Sequence, residues 1–495
     1  MMIFGMRSSL PSSLLAMAAI CGAASIATAQ GTVARVEQGA GQTVSALLIS
    51  DIHFDPFHDP GKVKHLAAAP VSEWRRILLD APSAGQQQAF DSLQGSCHAR
   101  GVDTPFALLE SSLQAMRAKA ADAKLMTVSG DLIAHGFDCR FAKLMAGSTA
   151  AEYQAFVLKT IEFEMSELRT AFPGIPVYAT LGNNDSGCGD YKLDANSDFL
   201  GQVGKIIAGD LLPAQQRAVV SEFGAGGNYS VMMTGPMRGT RLIALDDLFL
   251  SVKYRTCAGN ADTTAPAAEL AWLKGQLEQA RKAGEKVWVL GHIPPGIDSY
   301  STLVKLKNVC GGDQPVTFLA GDALPEMLAE YGDVVRLGIF AHTHMDELRL
   351  LAKEGSGALA ASGGVAIKLV SSISPVDGNN PSFTLARIDP AAATLADYRV
   401  FAASNQTGMG TAWSEEYDFA QTFHESAFTA ASVGRLIDEF KADSGATAPM
   451  SQAYLHNYFV GDRAAELSLF WPQYVCALGN YSVKGYAACN CAASK

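Results

Sequence analysis

Short apolar, β-branched runs alternate with longer amphipathic stretches along most of this chain. Val44–Ser50, Leu125–Ser129, Val177–Leu181, Arg241–Leu245, Val287–Leu290 and Val335–Phe340 have the length and composition of buried strands. Between them, Pro105–Ala121, Ala151–Ala171 and Pro266–Ala283 place apolar residues three and four apart, the period of a helix that buries one face. Pro105 and Pro266 sit near the starts of these helices, where a missing N–H costs nothing. This alternation predicts an α/β fold. Later runs, Val365–Val370, Thr384–Ile388 and Tyr398–Ala402, follow one another without a long helix and predict a second, largely antiparallel sheet. Ser426–Lys441 and Gln452–Trp471 read as helices, so 403–495 is expected to be a helical, Cys-containing C-terminal extension on a main domain spanning 30–402. From His58 to Arg100 periodicity is weak, and a long surface insertion is expected beside the first strand's end.

The first 29 residues change the picture. Arg7, the small-residue apolar run from Leu14 to Ile26, and Ala27-Thr28-Ala29 before Gln30 have the form of a cleavable secretory signal. The run is shorter than the ~20 apolar residues a membrane span needs, and no later stretch is long and apolar enough, so an exported protein without a stable membrane span is expected. Of nine cysteines, Cys21 lies within that signal. The remaining even set, Cys97, Cys139, Cys188, Cys257, Cys310, Cys476, Cys489 and Cys491, predicts disulfides. A local pair of Cys476 with Cys489 or Cys491 is plausible, and the other pairings stay open. The net charge of −11 leaves no excess of Lys and Arg to displace counterions from a nucleic acid. It does not exclude a small anionic substrate, because bound cations would dominate the local field.

Candidate chemistry lies at the strand ends. Asp51 and His53 follow the first strand, Asp131 the second, Asn183 the third, His292 the run Val287–Leu290, and His342 and His344 the run Val335–Phe340. Strand ends are where an α/β fold gathers groups from distant parts of the chain. Taken singly, Asp51-Ile-His53 or Gly130-Asp131 is more often a turn. His292 precedes Ile-Pro-Pro-Gly296, a stiff turn, and His342-Thr-His344 puts two imidazoles on one side of an extended segment. Together the oxygens and imidazoles over-supply one metal and suit two divalent ions sharing a carboxylate, a layout used for phosphoester cleavage.

These blocks, in this order, resemble the calcineurin-like metallophosphoesterases. Gly130-Asp131-Leu-Ile-Ala-His135, Val289-Leu-Gly-His-Ile-Pro-Pro-Gly296 and Ala341-His-Thr-His-Met-Asp-Glu347 look more narrowly like the acid sphingomyelinase-like branch, over roughly residues 44 to 400. The resemblance implies a four-layer αββα sandwich of two mixed sheets flanked by helices. It implies that Asp51, His53 and His344 bind a first metal, that Asn183, His292 and His342 bind a second, and that Asp131 bridges them. The implied reaction is hydrolysis of a phosphodiester or phosphomonoester of a small molecule by a hydroxide between the ions. Imidazole-rich ligation suits zinc, iron or manganese, and zinc is the first choice. The saposin-like domain that precedes the catalytic domain in acid sphingomyelinase itself has no counterpart in the sequence, which argues against a sphingolipid substrate.

One departure concerns the proton for the leaving group. The branch offers two histidines there. His135 fills one place, and the residue after the metal-binding Asn is Asn184. An amide can hydrogen-bond a phosphoryl oxygen but delivers no proton. Easily expelled leaving groups are therefore expected, or protonation by His135 alone. The rival readings are a phosphatase or pyrophosphohydrolase acting on nucleotides or polyphosphate, and a metal-binding protein without catalysis. Asp185 is a candidate to orient Asn184 or a ligand histidine, or equally a turn residue before Ser186-Gly187, and Asp346 is a candidate to support an imidazole.

Overall fold

The structure is a computed structural model that describes residues 43–353, 363–405, 412–461 and 465–493. Residues 1–42, with the expected signal sequence and the Gly-rich leader, lie outside the described residues. Among the described residues, twelve strands form two six-stranded sheets. They are β1 (Val44–Ile49), β2 (Leu125–Ser129), β3 (Val177–Thr180), β4 (Tyr229–Met232), β5 (Thr240–Ala244), β6 (Lys286–Leu290), β7 (Val335–Phe340), β8 (Glu347–Leu351), β9 (Val365–Leu369), β10 (Ser382–Asp389), β11 (Thr394–Ala402) and β12 (Ser414–Asp418). The first sheet has the order β12-β11-β10-β1-β2-β3 and the second β4-β5-β6-β7-β9-β8. Both are mixed. In the first, β1, β2 and β3 run parallel and β10 to β12 antiparallel. In the second, β5, β6, β7 and β9 run parallel between antiparallel edges.

The sheets meet face to face. Tyr229 Oη of β4 donates to the Ala179 carbonyl of β3 at 3.0 Å and accepts from its N–H at 3.1 Å. Trp288 Nε1 of β6 donates to the Ala393 carbonyl beyond β10 at 2.7 Å. Helices cover the outer faces. Phe106–Lys119 packs on β10 and Asp198–Ala208 on β3, while Thr264–Ala283 covers β5 and β6. With both faces covered, the central strands are almost continuously buried and mostly apolar.

The strands expected from Val365 to Ala402 do not form a sheet of their own. β9 joins the second sheet beside β7, whereas β10 and β11 continue the first sheet from β1. Their chain adjacency says nothing about which parallel edge they meet. The strands missed by pattern are edges or charged: β4 and β12 are edge strands, and β8 carries Glu347 and Arg349. The helix expected over Gln452–Trp471 is broken into Pro449–Tyr458, Ala465–Leu469 and the start of Trp471–Gly479. Val460 and Gly461 both adopt positive φ, which no helix continues through. The region after 402 opens with a strand, β12, before its helices, and Ala430–Ala442 and Trp471–Gly479 pack on β8. The insertion after His58 carries three short helices held by the buried indole of Trp74, which donates to the Leu66 carbonyl at 3.0 Å.

All eight expected cysteines pair: Cys97–Cys139, Cys188–Cys257, Cys310–Cys491 and Cys476–Cys489. The local C-terminal bridge is Cys476–Cys489, and Cys491 reaches back to Cys310. No helix among the described residues is long and apolar enough to cross a membrane.

Two glycines set how closely the strand-end loops approach. Gly130 has φ of +83°, and a Cβ there would lie 2.6 Å from the Gly182 nitrogen. A Cβ on Gly182 would lie 2.1 Å from Asp131 Oδ1. Gly182→Ala is therefore expected to lower the melting temperature by an amount equivalent to about 1–3 kcal/mol of overpacking. Gly275→Ala, in open space within the helix Thr264–Ala283, is expected to leave it unchanged or raise it by up to ~1 kcal/mol. Equal melting temperatures for the two variants would show that the loops do not need this approach.

Candidate metal centre

Parallel register brings the strand ends level. Ile49 pairs with Val128 and Ser129 with Thr180 in the first sheet, and Ala244 with Leu290 and Leu290 with Ile339 in the second. The chain leaving each strand then turns over the same edge. Asp51 N–H donates to the Gly130 carbonyl, His53 N–H to that of Asp131, and Ala341 N–H to that of His292. Asp51, His53, Asp131, His342 and His344 all adopt left-handed backbone, with φ of 45°, 45°, 53°, 73° and 67°. Such conformations cost of order 1–3 kcal/mol each and concentrate at functional sites.

The donor atoms fall into two groups joined by one carboxylate. On one side, His53 Nε2 lies 3.2 Å from His344 Nε2, 3.8 Å from Asp51 Oδ1 and 3.4 Å from Asp131 Oδ2. His344 Nε2 lies 3.5 Å from Asp51 Oδ1. On the other, His292 Nε2 lies 3.1 Å from Asn183 Oδ1, 3.2 Å from His342 Nδ1 and 3.3 Å from the same Asp131 Oδ2. All seven strand-end candidates therefore converge.

The residues fit a pair of cations. His53 Nδ1 faces the Ile133 carbonyl at 2.9 Å and His292 Nδ1 that of Ser129 at 2.8 Å. Each ring must donate from Nδ1, so in its neutral form Nε2 presents a lone pair. Asn183 Nδ2 donates to Asp190 Oδ1 at 2.8 Å, which turns its carbonyl oxygen inward. Asp51 Oδ1 is fully buried and accepts no hydrogen bond among the described residues. Acceptors with too few donors call for positive charge.

Titration follows the same logic. Burial pushes Asp51 up to about 7 against the pull of His292. Burial also lowers His53 to about 4, with the charge of His135 adding to it. His342 and His344 fall well below the usual range through burial and the neighbouring imidazoles. Burial opposes charge on Asp131 and His292 too, but their mutual attraction wins. Asp131 stays well below the carboxylate range and His292 rises to about 10.

Supporting groups surround these donors, and most carry no motif. Asp247, after β5, accepts from the N–H groups of His292 and Ile293. Its position at a strand end was the one available signal. Tyr191 Oη lies 3.3 Å from His342 Nε2, and Lys253 Nζ donates to that hydroxyl at 3.4 Å. Asp377 Oδ2 faces His344 Nδ1 at 3.5 Å. Asp185 accepts from the N–H groups of Leu132, Ile133 and Gly182, so it ties the two loops together rather than orienting Asn184 or an imidazole. Asp346 supports no imidazole either. It is buried against Lys368.

The two residues expected near the leaving group differ. Asn184 gives both its backbone N–H and its Nδ2 to Asp131, each at 2.9 Å, so its amide is committed to that carboxylate. His135 stacks on His53 with ring centroids 4.0 Å apart, and its Nδ1 lies 2.9 Å from Asp103 Oδ1. Asp103, unmarked by any motif, is buried and held by Arg140 and Ser374. Burial works against charge on His135, but Asp103 outweighs it and raises the imidazole above its ordinary range. Asp103 in turn is held at about 2, burial notwithstanding, chiefly by His135. Asp131, Asn183, His135, His342 and His344 open onto a cleft of about 660 Å³, with Arg100 and Lys253 also on its walls.

The sequence profile of the calcineurin-like phosphoesterases matches residues 45–346. Human acid sphingomyelinase-like phosphodiesterase 3b is 25% identical over 449 residues, covering 87% of this chain and 90% of that protein. Sphingomyelinase phosphodiesterase D of Dictyostelium discoideum is 27% identical over 327 residues, 65% of this chain and 66% of its own length. The mouse cyclic GMP-AMP phosphodiesterase SMPDL3A is 25% identical over 402 residues, 78% of this chain and 81% of its own. With a profile match over more than half its length and a convergent His/Asp centre, this chain belongs to the calcineurin-like phosphoesterase family, as a phosphoric ester hydrolase of the acid sphingomyelinase-like branch.

Proposed function

We propose that this protein is an exported, two-metal phosphodiesterase acting on a small phosphoester. The observation that carries this reading is the pair of donor groups sharing Asp131 Oδ2 at the floor of one cleft. Asp51, His53 and His344 would hold one cation and Asn183, His292 and His342 the other, with Asp131 between them. Zinc suits this donor set best, with iron and manganese as alternatives. When bound, the two ions supply Lewis acidity toward the phosphoryl oxygens and lower the pKa of the attacking water.

The chain's own residues do the rest. Asn184 fixes the plane of the Asp131 carboxylate. Asp190 keeps the Asn183 oxygen inward, and Asp247 holds the His292 backbone. His135, its imidazole raised above the ordinary range by Asp103, stands at the cleft wall as proton donor to the departing alkoxide. The disulfides and the relatives named above support export and a diester substrate. A second reading, a pyrophosphohydrolase on a phosphate chain, is favoured by the exposed Lys253 ammonium on the His342 side of the same cleft.

Removing metal with a chelator should abolish hydrolysis of bis(p-nitrophenyl) phosphate, and Zn²⁺ or Mn²⁺ should restore it. Metal-loaded protein that turns over no mono-, di- or pyrophosphate substrate would leave a binding protein and overturn the proposal. His135→Ala should cost ~10²–10⁴-fold on an alkyl phosphodiester and far less on a p-nitrophenyl ester, whose leaving group needs no proton. Equal losses on both would exclude the donor role. Because Asp103 raises His135, the donor stays protonated to higher pH, and the alkyl-ester rate should fall as pH rises through that pKa. Asp103→Asn should move this basic limb to lower pH. An unmoved limb would assign it to another group.

A further inference from the structure

Large apolar side chains are sparse on this surface except at one place. Among the described residues, Tyr300, Leu303, Val304 and Leu306 are 55%, 40%, 60% and 86% exposed, all within one short helix and the turn that ends it. Lys305 and Lys307 are exposed and alternate with them. No ion pair involves either lysine among the described residues. The carboxylates flanking the segment are turned into its own backbone, Asp298 accepting from Ser301 N–H and Asp313 from Asn308 N–H. The segment is also held in shape. Leu306 has a φ of +51°, and Lys305, Leu306 and Lys307 each donate a backbone hydrogen bond back into the helix. Cys310, just beyond, is bridged to Cys491. A leucine held in left-handed backbone at a tip, with its side chain in water, is costly on both counts.

The tip is continuous with the catalytic cleft. Tyr300 lines the cleft. The helix Ser299–Val304 packs on Trp471–Gly479, and Leu469, just before that second helix, is 84% exposed while Leu467 and Phe470 line the same cleft.

We propose that the segment Tyr300–Lys307 docks this protein on the face of an anionic phospholipid bilayer, with Leu306 and Val304 entering the interface and Lys305 and Lys307 meeting the headgroups. Alternating apolar and cationic side chains suit that boundary. The overall charge of −11 does not prevent it, because beyond ~10 Å surface charges are screened at ordinary ionic strength and Lys305 and Lys307 stand at the tip itself. A second copy of the chain fits the tip less well. A two-fold contact would bring like lysines together, and so short a tip falls below the ~1,000 Å² of a stable interface. Docked this way, the cleft opens at the membrane surface, which favours a phosphoester headgroup as substrate; that orientation rests on the proposed function, but docking itself needs no catalysis.

Flotation of the full disulfide-bonded protein with vesicles of phosphatidylcholine alone, or with added phosphatidylserine, tests this. Partitioning onto the phosphatidylserine vesicles is expected. The Val304→Ser, Leu306→Ser variant should lower it tenfold or more, and the Lys305→Gln, Lys307→Gln variant by roughly 30-fold at about 1 kcal/mol per lysine. Both variants should hydrolyse soluble bis(p-nitrophenyl) phosphate at the unsubstituted rate, so a failure of docking and a failure of catalysis are read separately. Absent partitioning, partitioning that neither variant reduces, or a dimer in sedimentation that the variants convert to monomer would each overturn the proposal.

Discussion

The strand-end edge of this fold concentrates hydrogen-bond acceptors and lone pairs where donors are too few. Asp51, Asp131, the Asn183 oxygen and the imidazoles of His53, His292 and His344 point inward from buried positions, with His342 half-buried beside them, and Asp51 Oδ1 has no hydrogen bond at all among the described residues. Burying such groups without compensating charge is expensive. Holding five of the residues in left-handed backbone adds to that expense. Both costs become intelligible if the pocket is completed by cations, and the supporting structure serves to keep the pocket from relaxing without them.

That support is layered. Asp185 and Asp247 spend their oxygens on backbone N–H groups of the loops, which fixes where the ligand-bearing turns lie. Asn184, Asp190 and Tyr191 then set side-chain orientation. The disulfides act one level further out. Cys97–Cys139 joins the insertion preceding Arg100 and Asp103 to the helix after His135, and Cys188–Cys257 joins the loop of Asp190 and Tyr191 to that of Lys253. Loops with little core of their own are thereby tied together around the cleft.

Much of this was legible before the fold. Uniformly apolar strands followed by Asp, Asn or His marked the edge, because burial on both faces leaves a parallel strand no other pattern. The convergence of those residues followed from parallel register, which the strand–helix alternation implied. Asp103, Asp190 and Asp377 were not legible, because each sits in a loop whose place is decided by tertiary contact rather than by local sequence. The partition of β9, β10 and β11 between two sheets failed for a related reason. A short connection constrains distance, not which of two edges a strand joins. Edge strands such as β12, Ser414–Asp418, lacked the apolar run altogether.

The substitution of Asn184 for a second proton donor gains its meaning from geometry rather than from composition. Its amide is not idle. It donates to Oδ2 of the carboxylate common to the two donor groups, while the backbone N–H of the same residue holds Oδ1. In the proposed reaction the proton-bearing role falls to His135, which stacks on His53 and so lies on the Asp51–His344 side of the centre. Lys253 lies on the opposite side, over the Tyr191 ring beside His342. The cleft is therefore asymmetric: one end supplies a proton and the other a fixed positive charge. In the proposed reaction a diester would lie across it in one sense, the departing oxygen toward His135 and the more anionic portion toward Lys253.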